Sequence, residues 1–158
     1  MYKRMLVPLD GSEVAEVVLP YAKELSGRLG VEVILLHISN PALKDFQPMM
    51  QAYVDHAAEI IRTGAAAIQR ELRPAAKPGT ITVQGKFAGG YPPDEILRFA
   101  DENQIDFILV ASHGRSGRKR WNIGSVAERV LRSAAIPVLL VPVVGLDQAP
   151  PVQWPART

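Results

Sequence analysis

The 158-residue sequence predicts a three-layer α/β fold: a doubly wound sheet of five mostly parallel strands with helices on both faces. Three observations predict it. Five short runs rich in Val, Ile and Leu recur along the chain, and at least three are continuously apolar, as strands buried on both faces must be. Stretches with helical spacing separate them. Strand and helix then alternate through to a fifth strand, which makes βαβ units with right-handed crossovers.

The first strand is read at residues 5–9, "MLVPL". A helix is expected after Ser12, because Val14, Val17, Val18, Tyr21, Leu25 and Leu29 fall at helical spacing. Gly30 stops it, and Pro20 inside the pattern predicts a kink. The second strand is "VEVILLHI", residues 31–38, followed by a loop from Ser39 to Pro48 with two prolines. Residues 49–72 read as the second helix and "TITVQ", residues 80–84, as the third strand. Five extra residues in the next stretch, "GKFAGGYPP", look like an insertion before a third helix that carries Pro93 in its first turn. Asp94 and Glu95 complement that helix's dipole. The fourth strand is read at 106–111, the fourth helix at 124–133 with Val126, Val130 and Leu131 on one side, and the fifth strand at 137–143. The domain spans residues 1–144, and residues 145–158 form a proline-rich tail with little to bury.

Composition narrows the function classes. Eighteen basic against sixteen acidic residues leave a formal charge of +2, so there is no global basic footprint and no nucleic-acid partner is expected. There is no cysteine, which excludes thiol catalysis and cysteine-ligated metal and fits a cytoplasmic location. The apolar run "IPVLLVPVVGL" is broken by two prolines and is too short to span a membrane, so no membrane partner is expected. His37, His56 and His113 show no metal-ligand spacing, and no metal site built from protein ligands alone is expected.

Ligands of open α/β sheets bind outside the carboxyl ends of the strands, where the winding direction reverses. The residues following three strands meet there: Asp10, Gly11 and Ser12 after the first, Ile38 closing the second, and "SHGRSGRKRWNIGS" after the fourth. Gly114 and Gly117 let backbone N–H groups approach an anion, while Gly124 and Ser125 open a helix whose free amides and positive dipole end favour phosphate. Asp10 can accept from ribose hydroxyls or stand near a phosphate-bound metal, and Ile38 and Val7 suit a flat base. Asp10 and Ser12 are also ordinary helix caps, and the residue types alone leave both readings open. Arg115, Arg118, Lys119 and Arg120 form a basic run of the kind that is usually a solvated face.

"MLVPLDGSEVAEVVLPYA", "VILLHI", "GYPPDEILRFADENQIDFILVASHG" and "GSVAERVLRSAAIPVLLVPV" together resemble the universal stress protein family. Its nucleotide-binding branch carries Gly, two residues, Gly, nine residues, then Gly-Ser or Gly-Thr. Here "ASHG", nine residues and "GS" keep that spacing, with Ala111 in place of the first glycine. The resemblance implies an adenine nucleotide alpha-hydrolase-like fold that binds ATP, or ADP or AMP, with Mg²⁺ held mainly by the triphosphate. It assigns nucleotide contact to Pro8, Leu9, Asp10, Ile38, Val110 and Ala111. From the fourth strand's loop and the following helix it adds His113, Gly114, Arg115, Gly124, Ser125 and Val126. It also implies a homodimer formed through the edge strand from Pro137 to Val143. The functional expectation is a stress-response sensor or regulator, not an enzyme. The alternatives are a dimeric interaction module that binds no nucleotide and a slow ATPase. A response-regulator receiver is discounted, because "QGKFAGG" offers no phosphoacceptor aspartate.

Overall fold

The computed structural model describes residues 2–12, 15–39, 42, 47–77, 79–113 and 123–143. The elements in chain order are β1 (Arg4–Leu9), a 3₁₀ turn (Ala15–Val18), α1 (Leu19–Leu29), β2 (Glu32–Ser39), α2 (Gln47–Leu72) and β3 (Val83–Gly89). They continue with α3 (Pro92–Glu102), β4 (Phe107–Ala111), α4 (Ser125–Ser133) and β5 (Val138–Val141). The five strands form one sheet in the order β3-β2-β1-β4-β5, and every pairing is parallel. The proposed tail, residues 145–158, lies outside the described residues.

The period of two along each strand divides the interior into two layers. Met5, Val7 and Leu9 face α1 and α2, packing with Leu19, Ala22, Ala57 and Ile61. Leu6, Ile34, Leu36, Ile108 and Val110 face the other way, onto Ile96 and Ala100 of α3 and Ala127 and Val130 of α4. Continuous apolar runs in β1, β2 and β4 follow directly, since both faces of these strands are covered.

Four sequence expectations are corrected. Pro20 does not kink a long helix. A 3₁₀ turn covers Ala15–Val18, and α1 starts at Leu19, so Pro20 sits in the first turn, where a missing N–H leaves no bond unmade. The second correction concerns "GKFAGG", which is not an insertion but the body of β3, pairing from Val33↔Val83 to Ser39↔Gly89. It escapes a hydrophobic pattern because β3 is an edge strand held by backbone bonds, and only Val83 of its residues is buried. Gly85 is needed there because a Cβ would lie 2.8 Å from Val54 Cγ2 of α2. Third, Ser39 ends β2, and Gln47 and Pro48 begin α2, so the intervening loop is shorter than the sequence suggested. Finally, Leu131 does not share the buried side of α4 with Val130; it is exposed, and Ala127 is the buried partner.

Candidate functional site

The strand order places the reversal point between β1 and β4, where the sequence analysis located its crevice. β1 stays paired with β2 as far as Leu9↔His37, but its pairs with β4 end at Leu6↔Ile108. Pro8 has no N–H to donate toward a neighbouring strand, which suits a ladder that stops short here. Beyond that point lies a cavity of about 370 Å³.

Its walls hold most of the residues singled out in the sequence. Pro8, Leu9 and Asp10 come from β1 and the turn after it, Ile38 from β2, and Val110, Ala111 and His113 from β4 and its continuation. Gly124, Ser125 and Val126 come from the start of α4. Gly114 and Arg115 lie outside the described residues, as do Gly117, Arg118, Lys119 and Arg120. Val7, proposed as a base contact, is not on the cavity. Alternation along β1 turns it into the core beneath α1 and α2, where it is fully buried.

Asp10 organises the turn after β1. One carboxylate oxygen, Oδ1, accepts from the Ser12 backbone N–H at 2.8 Å and from its hydroxyl at 2.5 Å. Gly11 between them adopts φ +84°, which a residue with a Cβ rarely tolerates. The Ser12 hydroxyl in turn accepts from the Ala15 N–H at 3.2 Å, so Ser12 caps the 3₁₀ turn and Asp10 orients the cap. The capping and cavity-lining readings of Asp10 are therefore both realised.

α4 begins at the N-cap Gly124, with no side-chain cap among the described residues. Gly124 donates its own N–H to the Ser112 carbonyl at 2.7 Å, which fixes the helix start against the end of β4. The first-turn amides of Ser125, Val126 and Ala127 stand on the cavity wall at the positive end of the helix dipole. Ala111 occupies regular strand, paired with Val141. Among the described residues Gln104 is the only non-glycine with positive φ, so Ala111 imposes no backbone strain and adds only a methyl.

Ser112 ties this junction together. Its N–H donates to the Val141 carbonyl at 2.8 Å, and its hydroxyl accepts from the Val143 N–H at 2.9 Å. The same hydroxyl lies 2.9 Å from His113 Nδ1. His113 is buried, and its Nε2 has no hydrogen-bond partner among the described residues. His37 forms part of the floor: its Nδ1 donates to the Leu9 carbonyl at 3.0 Å, and its ring packs on Tyr53 and Phe87. This agrees with a hydrogen-bonded core histidine.

Sequence reasoning missed Ser39 at the end of β2 and the apolar Met50, Pro92 and Ile96 from α2 and α3, along with Ala15, Ser112 and Ala127. Proximity to a strand's carboxyl end would have found Ser39. The helix residues carry no local signal, because their place depends on how α2 and α3 dock. No cluster of three or more His, Asp or Glu side chains suited to a metal occurs among the described residues. No described helix is long and apolar enough to cross a membrane.

Comparison with known proteins agrees with this architecture. The chain is 28% identical over 161 residues to universal stress protein MJ0577 of Methanocaldococcus jannaschii, covering 89% of this chain and 95% of that one. It is 29% identical over 148 residues to universal stress protein YxiE of Bacillus subtilis, covering 89% and 99%. Among solved structures, that of MJ0577 matches with a TM-score of 0.62 at 30% identity, covering 92% of this chain and 99% of the other. A universal stress protein from Archaeoglobus fulgidus, in complex with dAMP, matches with a TM-score of 0.55 at 25% identity, covering 88% and 97%. Residues 1–142 match the universal stress protein family, and the chain belongs to it.

Proposed function

We propose that this chain binds an adenine nucleotide, ATP in the first instance, as a cytoplasmic stress-response sensor or regulator without rapid turnover. The observation that carries the reading is the cavity at the β1/β4 reversal. It brings apolar lining residues (Ile38, Met50, Ile96, Val110) together with the first turn of α4 (Ser125, Val126), a helix start with no side-chain cap among the described residues. The apolar lining suits a planar base, and the first-turn amides suit phosphate. The cavity volume of about 370 Å³ falls within the size range of small-ligand sites. The dAMP complex of the Archaeoglobus fulgidus relative supports the same ligand class. Asp10 is the carboxylate on the cavity wall. Mg²⁺, where it accompanies the nucleotide, would be held mainly by the phosphates with Asp10 alongside.

Calorimetry of ligand-stripped protein with ATP, ADP and AMP tests the proposal. Gly124→Val is the informative variant. Gly124 has φ −63° and ψ 156°, which valine adopts without strain, so the substitution places an isopropyl group at the helix entrance and leaves the backbone alone. Affinity should fall by about tenfold or more, which is about 1.4 kcal/mol. No binding of any of the three nucleotides by the parent chain would overturn the reading. Sustained ATP turnover of many cycles per second would overturn the non-enzymatic part.

Ala111 favours a second reading, an interaction module without nucleotide, because its methyl stands where the family's nucleotide-binding branch has glycine. A mass spectrum of small molecules released from purified protein separates the two. Under either reading we propose a homodimer through β5, whose Leu139 is 47% exposed on an edge strand. Sedimentation at micromolar concentration should give a dimer mass for the parent chain and a monomer mass for Leu139→Glu. A monomeric parent chain would refute it.

A further inference from the structure

A second cleft lies at the opposite edge of the sheet. Its volume is about 570 Å³, and its walls are the C-terminal turns of α1 and α2 with the segment leading toward β3. α1 ends just before β2 and α2 just before β3, so this cleft sits at the amino ends of those strands. β2 has eight residues, and at about 3.3 Å per residue roughly 25 Å separates this cleft from the carboxyl-edge cavity.

Four cationic side chains line it, Arg28, Arg70, Arg73 and Lys77, and no carboxylate is among its described lining residues. Arg28 is paired with Glu24 at 2.8 Å on α1. Arg70, Arg73 and Lys77 form no ion pair among the described residues. Glu71 is next in sequence to Arg70 but is not on the cleft wall. Helix C-termini attract cations, and that accounts for part of the charge. Each terminus is worth about half a negative charge, so two offset about one of the three remaining cations. Roughly two positive charges are left without a local counter-charge.

An independent feature of the same wall is Gln69. Its Oε1 is buried and has no hydrogen-bond partner among the described residues, and its amide lies against Gly79, whose Cβ position would be 3.6 Å from Nε2. An unmet buried acceptor is uncommon and is satisfied by a guest that donates. We infer that this cleft is a second ligand site, for a small hydroxyl-bearing molecule with two or more phosphate charges. The phosphates would be taken by Arg70, Arg73 and Lys77, and a ligand hydroxyl would be taken by Gln69. A concave cleft of this volume fits a small molecule better than a flat polyanion or a lipid surface.

The probe is fructose 1,6-bisphosphate, titrated into the ligand-stripped full chain and followed residue by residue by NMR. Amide shifts should appear at Gly27, Gly30, Gln69, Arg73 and Lys77 and weaken as ionic strength rises. The double variant Arg73→Ala/Lys77→Ala alters exposed positions beyond the end of α2 and should keep the fold. It should weaken the probe by at least about tenfold, since two of the three proposed phosphate contacts are lost, while leaving nucleotide affinity at the other edge unchanged. Absence of shifts at these amides up to about 10 mM would refute the inference. So would an unaltered affinity in the double variant, shifts confined to the carboxyl-edge cavity, or retention on anionic vesicles without bisphosphate shifts.

Discussion

Ser112→Ala removes one oxygen from the junction of β4, β5 and α4, and its cost can be worked from the geometry. The hydroxyl accepts the Val143 N–H and contacts His113 Nδ1, both at 2.9 Å. Ser112 is 6% exposed, so water does not readily replace the lost oxygen. His113 already carries one unpartnered ring nitrogen, and the variant leaves it with two. A buried polar group left unpaired costs about 1–3 kcal/mol, and the half-buried Val143 amide sits at the low end of that range. The two losses together predict about 2–4 kcal/mol. In a domain of this size that lowers Tm by roughly 5–15 °C. Urea unfolding followed by circular dichroism measures the difference directly, with an unchanged m-value expected. The Ser112 backbone bonds to Val141 and Gly124 survive the substitution, so the fold itself should persist. A loss below about 0.5 kcal/mol would refute the argument that this hydroxyl closes the junction.

Three further outcomes test other parts of the structure. Gly85→Ala should destabilise by about 1–3 kcal/mol in the same assay, because the added methyl meets the backbone carbon of Val54 at 2.9 Å and α2 must move off β3. Ile96→Ala opens a hole beneath the cavity's apolar wall; it should cost about 2–5 kcal/mol and weaken nucleotide binding as well, measured by unfolding and calorimetry on one preparation. Asp106 accepts the backbone N–H groups of Lys3 and Arg4, and these bonds hold its carboxyl below the ordinary value. The folded form is therefore favoured above the unfolded-state pKa, and that contribution is lost as pH falls through the lowered folded value. Asp106→Asn should reduce the fall in stability between about pH 4 and pH 2, seen by acid titration of the unfolding midpoint.

The legible parts of the fold were those whose physics is local. β1, β2 and β4 announce themselves because strands covered on both faces need apolar residues at every position. β3 needs no such residues at an edge, so its glycines and Lys86 read as a loop until the register with β2 is known. Pro20 was misread for a related reason: the helical spacing runs on from the 3₁₀ turn into α1, and spacing alone does not mark where one ends. In the site, Asp10 and Ile38 were found from the rule that ligands lie beyond strand ends, and Val110 from the family resemblance. Met50 and Ile96 reach the same cavity from α2 and α3, and only the packing angles of those helices bring them there.

Pro8 and Ala111 show how two small departures from an ideal sheet bear on the crevice. A central strand normally has no proline, since each lost N–H weakens a ladder. Here β1 keeps its full register with β2 while its pairs with β4 stop at Leu6↔Ile108. β4 meanwhile remains paired to β5 through Ala111↔Val141. The sheet is thus sewn tightly on both sides of one seam and left open along it, and the cavity occupies the open seam. Ala111 lies on that seam in ordinary strand geometry, so glycine's freedom of φ is not required at this position. Ala111 packs in the core layer beneath α1 and α2 and also borders the cavity. The consequence for a ligand is one of clearance, and Ala111→Gly should tighten nucleotide binding without altering the register of β4 and β5. An unchanged or weakened affinity in that variant would mean that the ligand does not approach the β4 wall.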